Sequence, residues 1–322
     1  MKIDSQRRVV AELTAEMEVV QSAVQAASNQ SGYLGMAWRR VRRDRAAMFG
    51  ATLVIVIILV AIFAPALSPH DPTEQFRDGL TPDGQPMPST LLTHSDARFP
   101  LGTDANGRDL LSRILYGARI SLLVGVLANL MAVVIGTLIG SVAAYFGGWL
   151  EILLMRFTDM MMAFPMLLLA MTLVAILKPS VWIIIFVIGA VYWTWIARVI
   201  YGQVLPLRDR DFIIATRALG AGRIFILFRH ILPQLFPTII VWGTLGIATN
   251  VMLEASLSYL GIGVQPPTPS WGGMIEQGQS FYRTAPWLVI FPGLAIMLTV
   301  FAFNLFGDGL RDALDPTQRG SS

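Results

Sequence analysis

Six stretches of this chain are apolar for long enough to cross a bilayer, which takes about 20 residues as a helix. They lie at 48–67, 120–145, 160–177, 181–200, 238–261 and 287–306. None alternates with the period of two that a barrel strand needs, and continuous runs of this length satisfy their own backbones only as helices. The pattern predicts an all-α, polytopic integral membrane protein with six transmembrane helices.

The segments between the runs differ in kind. Residues 9–27 place Val9, Leu13, Met17, Val20 and Val24 on one helical face, which suits an amphipathic helix on the membrane or a partner, or else a poorly ordered tail. A linker over 28–35 then leads into an Arg-rich elbow. The loop 68–100 is rich in Pro, Asp and Gly with little periodicity, so it reads as ordered but irregular. At its exit Thr103-Asp104 are placed to cap a helix, and Gly107 gives backbone freedom beside Arg108-Asp109. Leu110, Leu111, Ile114 and Leu115 then make an interfacial helix opposite Arg108 and Arg113 that enters the second run. Between the last two runs, residues 263–287 are too rich in Pro and Gly to span, and Trp271, Phe281, Tyr282 and Trp287 suit a membrane interface or the lip of a pathway.

Breakers sit inside the runs as well. Pro165 and Pro292 fall in the third and sixth, where neighbouring helices can re-satisfy the backbone. Gly136 and Gly140 form a GxxxG in the second, read as tight packing within the subunit rather than a dimer face. The two halves of the chain show no strong repeat, against a transporter built from inverted repeats.

One polar segment is not composed like a loop. From 208 to 233 (RDRDFIIATRALGAGRIFILFRHILP), Asp209, Arg210, Asp211, Arg217, Arg223 and Arg229 alternate with apolar Phe212, Ile213, Ala215 and Leu219. The pattern predicts a short amphipathic helix; the stretch then turns at Gly220, reverses into Arg223–Ile231 and stops at Pro233. Ala215 and Ala218 keep it slim, while Phe212 and Ile213 form an apolar knob. Its apolar face needs a cover, either lipid or a soluble partner protein.

Composition agrees with the span count. The chain has 322 residues, 54% hydrophobic and 14% charged, with mean hydropathy +0.60; soluble domains carry about 25% charged residues. With the N-terminus inside, 17 of the 24 Lys and Arg residues fall on the inner side, led by Arg39, Arg40, Arg42, Arg43 and Arg45. Both termini and the 208–233 segment are therefore expected in the cytoplasm, and the pI near 9.4 reflects topology and lipid surface rather than nucleic acid. The first 35 residues are polar and lack the apolar core of a cleavable signal, so the first span reads as an uncleaved anchor. Cysteine is absent, which excludes disulfides and thiolate chemistry.

Candidate chemistry is sparse. Glu254 is the one carboxylate well inside a span, where a charge costs about 2.5–3.5 kcal/mol on insertion scales. It is expected to be protonated, hydrogen-bonded or facing water, as a contact on a translocation path or as a structural bond between helices. Ser258 and Trp271 are further candidates for the path or a gate. The chain has no GxxxxGK[ST] phosphate loop. His70, His94 and His230 lack metal-ligand spacing, and Ser256 and Ser258 have no His near in sequence. No catalytic residue, metal or cofactor is expected, so energy must come from outside the chain.

The 208–233 segment resembles the EAA loop of ABC-importer permeases. Four further segments resemble the dipeptide/oligopeptide/nickel class and its C-type subunit: LGTDANGRDLLSRILYGARISL (101–122), RFTDMMMAFP (156–165), EASLSYLGIGVQPPTPSWG (254–272) and GDGLRDALDP (307–316). The resemblance implies the type I (MetI-like) permease fold in a bacterial or archaeal cytoplasmic membrane. It implies a cytoplasmic N-terminal segment and elbow at 1–47, an extracytoplasmic loop and interfacial helix at 68–119, a core over 120–306 with a coupling loop at 201–236, and a cytoplasmic tail at 307–322. The implied partners are a homologous B-type permease, two cytoplasmic ATPases that bind ATP and Mg, and an extracytoplasmic binding protein. The implied ATPase contacts are Asp211, Phe212, Ala215, Thr216, Ala218, Leu219, Gly220, Arg229, His230 and Pro233. Relative to the general EAA pattern, Ile214 stands where a glutamate begins it, Thr216 replaces its second alanine and His230 an isoleucine. The cargo implied is di- or oligopeptides, with nickel chelates or oligosaccharides as alternatives. A stand-alone channel or secondary transporter built around Glu254 is the reading from another class.

Overall fold

A computed structural model describes residues 35, 38–90 and 98–314. The amphipathic stretch expected at 9–27, His94 and the last eight residues lie outside them.

Asp44 caps the first long helix, α1 (Arg45–Ile62), its carboxylate accepting from the N–H groups of Ala46 at 2.8 Å and Ala47 at 3.2 Å. Such a cap satisfies donors the helix cannot satisfy itself. A break at Phe63 and a one-turn α2 (Ala64–Leu67) with Pro65 in its first turn end the span. Two larger helices follow the outer loop. The first is α3 (Leu110–Phe146), capped by Asp109 and closed by Gly147 at φ 70°. At 1.5 Å per residue its 37 residues reach about 55 Å, well beyond a hydrocarbon core of about 30 Å. The second, α6 (Val181–Arg208), makes with α3 the most extensive helix pair of the fold. Gly136 and Gly140 lie in that seam: a Cβ on Gly136 would come 2.7 Å from the Trp193 carbonyl. The GxxxG is thus a packing seam inside the subunit.

Between them, α4 (Gly148–Met162) and α5 (Met166–Leu177) meet at 89° across Ala163–Pro165. Beyond α6 come α7 (Asp211–Ala218), one-turn α8 (Arg223–Ile226), a π turn at Leu227–Ile231 and α9 (Leu232–Tyr259). Then α10 (Trp271–Gly278) and a 3-10 turn precede the last helix, α11 (Trp287–Leu314). Among the described residues five helices are long and apolar enough to cross a membrane, and six when the bent pair α4–α5 is counted as one span. No strand occurs among the described residues, only isolated bridges at Leu80–Pro86 and Thr103–Asp109.

Four expectations are corrected. Residues 110–119 enter the second span as expected, as the first turns of α3, but Leu110 and Arg113 there are buried rather than interfacial. Its cap is Asp109, not Thr103-Asp104; Asp104 instead accepts from the N–H groups of Asn106 at 2.9 Å and Arg108 at 3.0 Å, closing a tight turn that Gly107 completes at φ 70°. The third span is not one run over 160–177: α4 already covers Gly148–Met162, and the bend expected of a breaker at Pro165 falls between it and α5, where the residues before the proline cannot stay comfortably helical. Finally, Pro233 does not stop a helix. Proline lacks the N–H and crowds the preceding turn, and the π turn directly before it widens the backbone, so the chain continues through α9.

The core forms along the length of the bundle. At the α7 end, Ile213, Ile226, Leu227, Ile231 and Leu235 pack against Tyr145 of α3 and Ile196, Ile200 and Val204 of α6. At the opposite end, Trp271, Met274, Trp287 and Leu288 pack with Leu110 and Leu122 of α3.

Candidate functional site

At one end of the bundle α7 joins the two longest walls of the core. It begins after Arg210 without a side-chain cap, but Asp211 stands in its first turn and Arg217 in its last, each favourable to the helix dipole. Eight residues make barely two turns, too few for a helix to persist alone in water. Two contacts hold it. Ile213 is fully buried among Ile226, Leu227 and Ile231, and the Arg217 guanidinium lies 6.0 Å from the ring centre of Tyr145 on α3, at cation–π range. Thr216 Oγ1 donates at 2.6 Å to the Phe212 carbonyl within the helix. Gly220, at φ 85°, then reverses the chain, a conformation that costs a residue with a Cβ.

Burying Ile213 corrects the expected knob, because that side chain belongs to this subunit's own core. What α7 presents outward is Phe212 at 39% exposure, Ile214 at 52% and Leu219 at 89%, with Asp211, Ala215, Ala218 and Gly220 exposed around them. Arg229 is exposed on the π turn beside half-buried His230, whose ring meets Phe225 edge-on at 5.7 Å. Pro233 is half-buried in the first turn of α9. The structure therefore gathers the ten expected contact residues at one end of the bundle, as a narrow apolar ridge flanked by charge.

The three pathway candidates come together at the other end, in one buried network. Glu254 on α9 is fully buried. Ser121 Oγ on α3 donates to its Oε2 at 2.8 Å, and Ser258 Oγ, one turn along, donates to its Oε1 at 2.7 Å. Each serine also accepts from the backbone: Val264 N–H to Ser258 at 3.1 Å, and Trp271 N–H to Ser121 at 3.4 Å. Trp271 adds a bond from its indole N–H to the Ile114 carbonyl at 3.0 Å. The carboxylate thus joins α3, α9, the following loop and the start of α10. Where polar groups cannot reach water they find one another, and this is how the chain accommodates a carboxylate inside a span.

A second polar layer lies deeper and was not foreseen. Asn129 Nδ2 donates to the Gly243 carbonyl at 2.8 Å, and Asn250 Nδ2 donates to Asn129 Oδ1 at 3.3 Å, joining α3 to α9 again. Two asparagines in the middle of apolar runs were the available signal. Near the α7 end, Arg198 of α6 forms an ion pair with Asp159 of α4, and Arg208 donates at 2.6 Å to the Ala144 carbonyl.

Comparison with known proteins places this architecture. The family model described as binding-protein-dependent transport system inner membrane component matches residues 136–320, and the one described as N-terminal TM domain of oligopeptide transport permease C matches 32–82. The chain is 41% identical over 283 residues (88% of this chain and 90% of the relative) to the dipeptide transport system permease protein DppC of Alkalihalophilus pseudofirmus. It is 40% identical over 285 residues (88% and 92%) to the di/tripeptide transport system permease protein DppC of Pseudomonas aeruginosa. It is 44% identical over 283 residues (88% and 90%) to the glutathione transport system permease protein GsiD of Escherichia coli. The multi-pass helical architecture and these matches together assign the chain to the binding-protein-dependent transport system inner membrane components, the permease family of ABC importers.

Proposed function

We propose that this chain is one of two transmembrane subunits of an ATP-driven importer of di- or oligopeptides, with its α7 end and both termini in the cytoplasm. The observation that carries the proposal is the ridge of Phe212, Ile214 and Leu219, exposed on a helix too short to persist alone yet anchored through Ile213 to the core between α3, α6 and α9. Such an element transmits a push from a soluble partner as a rigid-body movement of the helices behind it. The partner is an ATPase subunit, and ATP and Mg are held there rather than by this chain. Nucleotide-driven closure of an ATPase pair moves α7 and tilts the attached spans, switching access from outside to inside. A homologous permease completes the pathway, and an extracytoplasmic binding protein delivers the cargo to the α10 end. Peptide cargo is supported by the relatives' names, dipeptide, di/tripeptide and glutathione permeases.

The test is to tag the chain, solubilise the native membrane gently and identify what co-purifies. A second permease together with one or two ATPases is the expected result; the chain alone in a homogeneous complex would refute it.

A further inference from the structure

At the α10 end a cavity of about 230 Å³ lies between the 104–113 segment and α10, lined by Asp104, Asn106, Arg108, Arg113, Glu276 and Gln277 among others. Asn106, with Gln279 and Ser280 across the gap, is exposed, so the cavity opens to the surrounding medium. Its floor holds two guanidiniums, with Arg108 4% exposed and Arg113 1%. Both turn to one carboxylate, Asp104, at 2.7 Å from Arg108 Nε and 3.2 Å from Arg113 Nε. Both also donate to Gln277 Oε1, at 3.1 Å and 3.3 Å.

Arginine carries five N–H donors. Arg113 spends a further one on the Pro72 carbonyl at 3.2 Å. Arg108 Nη1 has no hydrogen-bond partner among the described residues, although the side chain is almost wholly enclosed. Glu276, on α10 and only partly buried, enters no ion pair among the described residues. A clamp that served only to hold the loop against α10 would spend its donors within itself. This one keeps guanidinium donors and a separate unpaired carboxylate facing the same space.

We propose that the cavity is a binding subsite for a free small ligand that carries a carboxylate and an ammonium group, as amino acids and short peptides do. The ligand's carboxylate takes the spare donors of Arg108, a geometry that guanidinium forks favour, and its ammonium takes Glu276. The volume is below the range of about 300–1,000 Å³ typical for drug-sized ligands, so it accommodates one or two residues and not a long peptide. The site deepens the peptide-importer reading and rests on it for its meaning in transport: it would hold cargo, or a piece of it, at the mouth on the α10 side.

The test is calorimetric titration of the full chain, purified with its accompanying subunits in lipid nanodiscs, with dialanine, N-acetyl-dialanine and dialanine amide. Dialanine is expected to bind saturably, and each blocked analogue about 10- to 100-fold more weakly, as loss of a bond to a charged group gives. Arg108→Gln is expected to weaken dialanine to the same degree. Because that variant also strips a partner from buried Asp104, Glu276→Gln serves as the second probe: it removes one charge at a partly exposed position, and it should weaken dialanine while leaving N-acetyl-dialanine unaffected. Absence of saturable dialanine binding, or equal binding by a well-folded Glu276→Gln variant, overturns the proposal. ATP-dependent peptide uptake by the same preparation is scored separately, so a working importer without this subsite is distinguishable from failure of the importer reading.

Discussion

Ser121 of α3 donates a 2.8 Å hydrogen bond to the carboxylate of Glu254 on α9, tying together two helices whose residues stand 133 positions apart in the chain. The same serine accepts from the backbone N–H of Trp271, so one hydroxyl fixes the start of α10 as well. Interhelical bonds of this kind contribute about 0.6 kcal/mol on average and rarely more than about 1.7. Ser121→Ala is therefore expected to lower the unfolding free energy of the purified protein by about 0.6–1.7 kcal/mol. Glu254→Ala removes the acceptor of two buried hydroxyls at once and should cost more, about 1–3 kcal/mol for each donor left without a partner. Thermal unfolding in detergent checks the order; equal stability of Glu254→Ala and wild type would contradict it.

The α3–α6 seam makes a steric prediction. A Cβ on Gly136 would stand 2.7 Å from both the Trp193 carbonyl and Ile196 Cβ, atoms on a helix that cannot easily retreat. Gly136→Val should destabilise the fold by about 1–3 kcal/mol, as overpacking does, and lower its accumulation in the membrane. Gly202, on α6 with nothing within 4 Å of an added Cβ, is the control: Gly202→Ala should accumulate normally.

Two apolar residues, one in α7 and one at its C-terminal cap, have opposite roles. Ile213 is fully buried, whereas Leu219 is 89% exposed. Ile213→Ala is expected to cost about 2–5 kcal/mol of stability, the range for emptying a buried aliphatic site. Leu219→Asp should leave the melting temperature unchanged and weaken the hold on the soluble ATPase subunits during purification. Parallel melting and co-purification measurements separate the two; a destabilised Leu219→Asp would show that the ridge is part of this subunit's core.

The absence of native cysteine makes the orientation directly measurable. Asp83 and Arg223 are exposed at opposite ends of the bundle, in the outer loop and at the start of α8. A cysteine replacing Asp83 should react with a membrane-impermeant maleimide on intact cells. One replacing Arg223 should react only after the membrane is opened. The reverse pattern would invert the proposed topology.

Much of this architecture can be read from the sequence, and the failures have physical causes. Hydropathy finds segments that lipid will accept, so the apolar runs and the reversal at Gly220 are plain. It does not report where a helix begins in a polar environment. The first turns of α3 carry Ser112 and Arg113 among the leucines because they pack into the outer loop, with Arg113 buried against Asp104, and this mixed pattern resembles an interfacial helix. Proline rules predict a stop at Pro233, but a single π turn is enough to pass it. In α7, Phe212, Ile213 and Ile214 are consecutive and all apolar, so an eight-residue helix has no periodicity from which its buried face could be chosen. Only the packing of Ile226 and Ile231, chain neighbours across the Gly220 turn, selects Ile213. The gathering of Glu254, Ser258 and Trp271 with Ser121 depends on a contact between distant helices, which spacing within one segment cannot disclose.

In the proposed importer α7 passes work from ATP hydrolysis to the pathway. The decisive measurement is ATP hydrolysis and peptide uptake side by side, in proteoliposomes containing this chain and its co-purifying subunits, for wild type and Ala215→Glu. Ala215 is exposed on the ridge, so the substitution adds a charge to the docking face without entering the core. Wild type is expected to take up peptide only with ATP, and the variant to fold and assemble but hydrolyse ATP without taking up peptide. Wild-type uptake by the variant, or uptake by the chain alone without ATP, would overturn the coupling role of α7.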